Sequence, residues 1–199
     1  MKIGTIGAGD VSIAIAKLAL AAGHEVILSN STGGEKLAKI VAGLGKGATA
    51  GSISQVAEAD IVILAVPWTA IESALAATPS WAGRILVDAT NPFIEIEPKL
   101  VLADLGGVGA SEIVAGLAPG ARTVKAFNSV TMSNFEKGPK EGNASRILLV
   151  SGDDAEAKAT VIDLIQSFGY ATIDLGGLVA GGRMQQAGGP FAGKDLLLA

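Results

Sequence analysis

Six residues near the amino terminus, Gly7-Ala8-Gly9-Asp10-Val11-Ser12, carry the plainest chemical signal in this chain. They follow a β-branched run, "KIGTI", and open a helical pattern, "DVSIAIAKLALAAG". In that setting Gly7 permits a tight turn, and Gly9 lets backbone N–H groups approach a pyrophosphate at a helix N-terminus, where peptide dipoles supply partial positive charge. Ser12 stands where the pattern has its third glycine and is small enough for close helix–strand packing. Asp10 beside a pyrophosphate is repulsive unless its carboxylate turns to cap the helix, which is the expectation here. About twenty residues on, an NAD site usually carries an acid for the ribose 2′-hydroxyl. This chain has Ser29-Asn30-Ser31-Thr32 there, with Lys36 the nearest cation. Neutral donors just ahead of a helix start suit a 2′-phosphate, so NADP(H) is expected over NAD(H).

Three more segments fall at strand ends, where open α/β sheets hold their ligands. They are Ala65-Val66-Pro67-Trp68, Ala89-Thr90-Asn91-Pro92 and Ala126-Phe127-Asn128-Ser129. Small residues and prolines (Ala65, Val66, Pro67, Ala89, Pro92) leave room for a flat ring. Asn91 and Asn128 either bond the nicotinamide carboxamide or close their own turns. Trp68 either stacks on a ligand or packs into the core. Proton donors are scarce: there is no cysteine, His24 precedes a strand at the wrong end of the sheet, and the sole tyrosine, Tyr170, has no lysine four residues on. Reduction of a carbonyl or imine needs a placed acid, and Lys125 and Asp88 are the candidates. An acceptor that delocalises its own charge, a flavin (FMN, FAD) or deazaflavin, needs little beyond position. Three readings follow: hydride exchange between NADP(H) and such a ring, reduction of a small carbonyl or imine compound with Lys125 or Asp88 as acid, and a non-catalytic NADP(H)-sensing module.

The elements that must position these residues alternate strand and helix. Strands are expected over 2–6, 25–29, 48–50, 60–66, 84–90, 123–127 and near both ends of 146–176. Helices fall between them: 10–23, 34–43, a short one opened by Ser52, 67–77, 111–118 capped by Ser111, and an acid-capped one within 146–176. Apolar strands alternating with helices define an α/β, Rossmann-type doubly wound, mostly parallel sheet. One domain over 1–199 is expected, with a core over 1–135 and a small C-terminal βαβ extension and tail over 146–199.

The net charge of −4, with no like-charge block, argues against a nucleic-acid or anionic-membrane surface. The longest apolar run, 61–68, is far below the roughly 20 residues of a membrane-spanning helix. The mean hydropathy of +0.48 is assigned to buried strands and their covering helices. A cytoplasmic protein whose partner is a small-molecule redox acceptor is expected. A homodimer is expected too, because the tail ending "DLLLA" needs a surface on which to dock.

The pieces "IGAGDVSIAIAKLALAAGHEVILSNS", "ADIVILAVPW", "ILVDATNP", "VKAFN" and "ILLVSGDDAEAK", followed by "LIQSFGYATIDLGGL", together resemble the coenzyme F420-dependent NADP reductase family. The order of "GAGD", "VDATNP", "VKAFN" and "SGDDAEAK" is also similar to the cytosolic NADPH domain of the six-transmembrane epithelial antigen metalloreductases. The resemblance runs to about residue 180. It implies an NADP(H) site and F420 or a flavin as second redox partner. By this resemblance Gly7–Val11 hold the pyrophosphate, Ser29–Thr32 the 2′-phosphate, and Val66, Pro67 and Asn91 border the nicotinamide. Two departures stand out. Family members often have arginine where this chain has Thr32, and they tend to continue into more helix where this chain has a short glycine-rich tail.

Overall fold

The computed structural model describes residues 1–78 and 80–199. Its centre is a run of parallel strands: Lys2–Ile6 (β1), Glu25–Ser29 (β2), Ala48–Ala50 (β3), Ile61–Leu64 (β4), Ile85–Asp88 (β5) and, after the intervening Phe93–Glu95 (β6) and Val101–Leu102 (β7), Arg122–Lys125 (β8). The spatial order is β3-β2-β1-β4-β5-β8, so the winding reverses between β1 and β4 and opens a crevice at their carboxyl ends. The strands read as continuous apolar runs because both faces are covered. Ile61 and Ile63 enter one buried cluster while Val62 and Leu64 enter the other, as alternation along a strand requires.

Helices follow from spacing and caps. Asp10–Ala21 (α1) buries Ser12, Ile15, Ala16 and Ala19, one stripe of a 3.6-residue period. Gly34–Leu44 (α2) follows β2, and Ile53–Val56 (α3) starts on a reciprocal Ser52–Gln55 capping box. Pro67 precedes a 3₁₀ turn, Trp68–Ala70, that runs into Ile71–Ala76 (α4). Two expected caps are corrected. The cap of α1 is Gly9, and Asp10 lies exposed in the first turn with no hydrogen bond to the backbone. Ser111 lies inside Ala110–Leu117 (α5), whose cap position is Gly109, and its hydroxyl bonds Asp88 instead.

Beyond β8 come Met132–Phe135 (α6), Lys140–Glu141 (β9), Ala144–Gly152 (β10), Ala155–Ser167 (α7, capped by Asp154) and Ala171–Asp174 (β11). β10 joins β8 antiparallel through Ser151 and Gly152, and β11 pairs parallel with β10, so the βαβ unit extends the same sheet. The segment between β5 and α5 holds a hairpin, β6 with β7, that the sequence pattern does not disclose.

The tail is more structured than its glycine content suggests. A π-helical turn, Leu178–Gly182, leads into Arg183–Gln185 (α8), and Leu197–Leu198 (β12) pairs antiparallel with β10. The fully buried Arg146 holds that last strand through both oxygens of Asp195, at 2.6 and 3.2 Å. The backbone of "DLLLA" thus docks on this chain's own sheet, while the side chains of Leu197 and Leu198 stay 45% and 58% exposed. No helix among the described residues is long and apolar enough to cross a membrane.

Candidate active site

A cleft of about 590 Å³ opens where β1 and β4 diverge, lined by Gly7, Ala8, Gly9, Ser29, Asn30, Ser31, Thr32, Lys36, Ala65, Val66 and Pro67 among others. Nearly all of the sequence-selected adenosine and pyrophosphate residues meet here. The two glycines differ in kind. Gly7 has φ +112°, and a Cβ there would lie 2.1 Å from the Ala65 carbonyl oxygen, so the turn and the β1–β4 approach require glycine. Gly9 has φ −86°, and its Cβ would meet nothing within 4 Å. Nothing inside the protein demands glycine at this position. Gly9 lines the cleft at the N-terminus of α1.

At the ribose end Ser29 is buried and donates its hydroxyl to the Thr5 carbonyl, 3.1 Å away, so its donor is spent within the sheet. Asn30 Oδ1 accepts from the Gly33 N–H and braces the loop. Ser31, Thr32 and Lys36 are exposed, and α2 begins without a side-chain cap. Two hydroxyls, an ammonium and uncapped helix N–H groups therefore surround the expected 2′-phosphate position, and that donor set fits a dianion. Ile53, Ser73 and Ala74 complete this chamber. They come from helices that carry no motif, so only their position in the fold reveals them.

Gly9, Ala65, Val66 and Pro67 continue into a second chamber of about 520 Å³, with Asp10, Val11, Trp68, Ala89, Thr90 and Asn91. Its outer wall is Phe93 and Ile96 from the hairpin region and Met132 from α6. A third cavity of about 260 Å³ shares Val11, Ala89, Asn91, Phe93 and Met132 with the second. It is closed by Phe127, Asn128 and the tail residues Ala187, Ala192 and Gly193. Pro92 is buried outside these linings, where its carbonyl accepts the Ala103 N–H at 2.8 Å. Trp68 is half-buried, lining the second chamber while packing on the apolar cluster beneath.

The acid candidates lie under the floor rather than in it. Lys125 and Asp88 are both fully buried and paired at 3.0 Å, and Lys125 also donates to the Thr90 carbonyl at 3.1 Å. Asp88 further accepts from the Thr90 hydroxyl at 2.6 Å, the Thr90 N–H at 2.9 Å and the Ser111 hydroxyl. Burial pushes the Asp88 carboxyl up, but Lys125 and these hydrogen bonds outweigh it and hold the group below its ordinary value. Neither residue lines any of the three chambers. Pairing, rather than exposure, is what a lysine at the end of an apolar strand finds here.

A Rossmann-type sheet with a cleft at its switch point fits a dinucleotide, and the comparisons show what the chain is similar to. Residues 2–92 match the family model for coenzyme F420-dependent NADP oxidoreductases. A solved hypothetical protein of Sinorhizobium meliloti, SMa0349, is 37% identical, with a TM-score of 0.92 over 100% of this chain and 96% of that one. A candidate F420-dependent NADP reductase of Arthrobacter sp. FB24 is 27% identical, with a TM-score of 0.77 over 89% of this chain and 86% of that one. The metalloreductase STEAP3 of Rattus norvegicus is 28% identical over 181 residues, 90% of this chain and 34% of that protein. This chain thus spans about a third of the length of that curated relative. The match to the family model covers residues 2–92, and the likeness to the two solved structures covers most or all of the chain.

Proposed function

We propose that this protein passes a hydride between NADP(H) and a deazaflavin (coenzyme F420) or flavin ring. The observation that carries the reading is the chemistry of the second and third chambers. Their only titratable lining residue is Asp10, which belongs to the pyrophosphate end. A carbonyl or imine substrate would need an acid there, and Lys125 and Asp88 are spent on each other beneath the floor. A delocalised ring accepts the hydride with its two electrons and draws its proton from water, leaving the protein to orient two rings.

When bound, NADPH supplies the hydride from its nicotinamide ring. In this reading the N–H groups of α1 above Gly9 hold the pyrophosphate, and Asn30–Thr32 with Lys36 take the 2′-phosphate. Val66, Pro67 and Ala89 form a floor of small side chains for the nicotinamide, while Trp68, Phe93 and Met132 exclude water from the transfer. Exposed Ile94, Ile96, Leu100 and Leu102 around the hairpin, together with Leu197 and Leu198 of the tail, offer a homodimer apolar surface, which sedimentation would test.

The first test is a side-by-side titration with NADPH and NADH followed by nicotinamide fluorescence, then hydride transfer assays with F420, FMN and FAD. Tighter NADPH binding, by roughly tenfold or more, is expected from a 2′-phosphate held by charge-assisted bonds, with turnover on at least one ring. Equal or NADH-favoured binding would overturn the assignment of Ser31, Thr32 and Lys36. Binding without turnover on any ring would favour the redox-sensing module.

A further inference from the structure

Asp88 and Lys125 are register partners in the last rung of β5 against β8, and Ala89, Thr90 and Asn91 lead from there along the wall of the second chamber. The buried pair is turned on one residue. Thr90 donates its N–H at 2.9 Å and its hydroxyl at 2.6 Å to Asp88 Oδ1, and its carbonyl accepts from Lys125 Nζ at 3.1 Å. The amide, the hydroxyl and the carbonyl of Thr90 therefore all end on the pair. Asp88 Oδ2 takes the Lys125 ammonium at 3.0 Å and the Ser111 hydroxyl. The next residue, Asn91, lines the second and third chambers and closes a clasp. Its Nδ2 donates to the Asn128 carbonyl at 2.8 Å, and its Oδ1 accepts from the Ala187 N–H at 2.9 Å and from Asn128 Nδ2 at 3.1 Å. This wall is thus held from two sides, by the ion pair through Thr90 and by the clasp through Asn91.

Stability alone does not call for an ion pair here. Taking a carboxylate and an ammonium out of water costs about as much as their attraction returns, and apolar side chains of similar volume generally hold a core as well or better. The neighbouring strand shows as much: β4 ends at the same level of the sheet in Leu64, the register partner of Asp88, which is fully buried. What apolar side chains cannot do is bind the N–H and C=O groups of a segment that has just left the sheet. A buried network that is fully paired holds such a segment in one conformation.

We propose that Asp88 and Lys125 are positioning residues: the pair fixes the Thr90–Asn91 wall of the second chamber and so sets how the nicotinamide ring is held for hydride transfer. Neither side chain lines a chamber, so both act through Thr90. The inference rests on the reading of the cleft given above. It separates the two ends of the dinucleotide, because the first chamber is built from residues 7–9 and 29–32 with Lys36 and takes no hydrogen bond from the pair.

The test compares the full wild-type chain with two variants. Lys125→Met combined with Asp88→Asn removes both charges and the donor to the Thr90 carbonyl. Thr90→Val keeps the pair and the side-chain shape but cuts the hydroxyl link. Binding of 2′,5′-ADP, which has no nicotinamide, reports the adenosine end. Fluorescence anisotropy of bound NADPH reports how firmly the nicotinamide is held. Single-turnover transfer of a hydride, with its two electrons, from NADPH to FMN or F420 reports the geometry. Both variants are expected to bind 2′,5′-ADP within about twofold of wild type while the anisotropy falls; transfer should slow roughly tenfold or more in the double variant and about threefold in Thr90→Val. Wild-type anisotropy and rate in either variant overturn the positioning role and leave the acceptor reading intact. A parallel loss of 2′,5′-ADP affinity marks a general loosening of the fold and overturns it as well. No transfer from the wild-type protein to either ring overturns the acceptor reading alone, because the anisotropy still decides the role of the pair. Failure of NADPH to bind overturns both. Thr90→Val decides the question if the double variant does not fold.

Discussion

The two ends of the cleft are built by different means. At the proposed pyrophosphate end the groups on offer are backbone N–H donors and exposed hydroxyls from two short segments, residues 7–12 and 29–36. At the far end they are side chains that meet across the chain, Asn91 with Asn128 at a separation of 37 positions and Asn91 with Ala187 at 96. The first end depends on backbone conformation and tolerates change in most side chains. The second depends on a network of buried amides and one buried ion pair, where a single truncation leaves partners stranded.

The contrast is broken most forcefully at its hinge points. Gly7→Ala places a methyl 2.1 Å from the Ala65 carbonyl at a positive φ, and is expected to destabilise the fold by more than about 3 kcal/mol, read from denaturant unfolding. Lys125→Met strands the fully buried Asp88 carboxylate and is expected to lower stability by about 3–5 kcal/mol, with much of it regained by adding Asp88→Asn. The same pair sets an acid dependence. The folded carboxyl of Asp88 titrates below its unfolded value of about 3.8, so its contribution is present above that pH and is lost as pH falls through the depressed value. Thermal unfolding between pH 7 and 2 should record the loss, and the double variant should lack that component.

Asn91→Ala removes three hydrogen bonds of the clasp. About 2 kcal/mol of local stability is expected to go, seen as faster hydrogen exchange over residues 185–193 while exchange over residues 2–29 is unchanged. Gly9→Ala sharpens the comparison from the other side. It meets no protein atom, so stability should fall by less than about 1 kcal/mol, whereas NADPH affinity should drop by roughly tenfold or more as the methyl enters the pyrophosphate space. The smallest effect belongs to Thr32→Arg, which adds a guanidinium beside the proposed 2′-phosphate position and should raise the NADPH-to-NADH affinity ratio about three- to tenfold in the fluorescence titration.

Legibility in the sequence follows the same division. The strands β1, β2, β4 and β5, the Gly7–Ser12 turn and the cleft-lining Ser31, Thr32 and Lys36 are written in contiguous stretches, so their pattern exposes them. The Asp10 cap failed as an expectation because Gly9 already occupies the cap position, and Ser111 failed because Asp88, 23 residues away, competes for its hydroxyl. Ser29 was legible as a position but not as a donor, since its partner is the Thr5 carbonyl on the neighbouring strand. The hairpin of β6 and β7 left little trace, because its strands are short and mostly exposed and so lack an apolar rhythm.

The sequence alone determined the sheet, its doubly wound character and the residues that line the first chamber of the cleft, because periodicity, glycine turns and helix starts are local physics. Only the tertiary structure decided that Lys125 and Asp88 pair in the buried interior, that the glycine-rich tail folds back to wall a cavity, and that Asn91 ties Asn128 to Ala187 beside it. Those facts depend on which groups come within about 3 Å across long stretches of chain, and no local pattern encodes a distance of that kind.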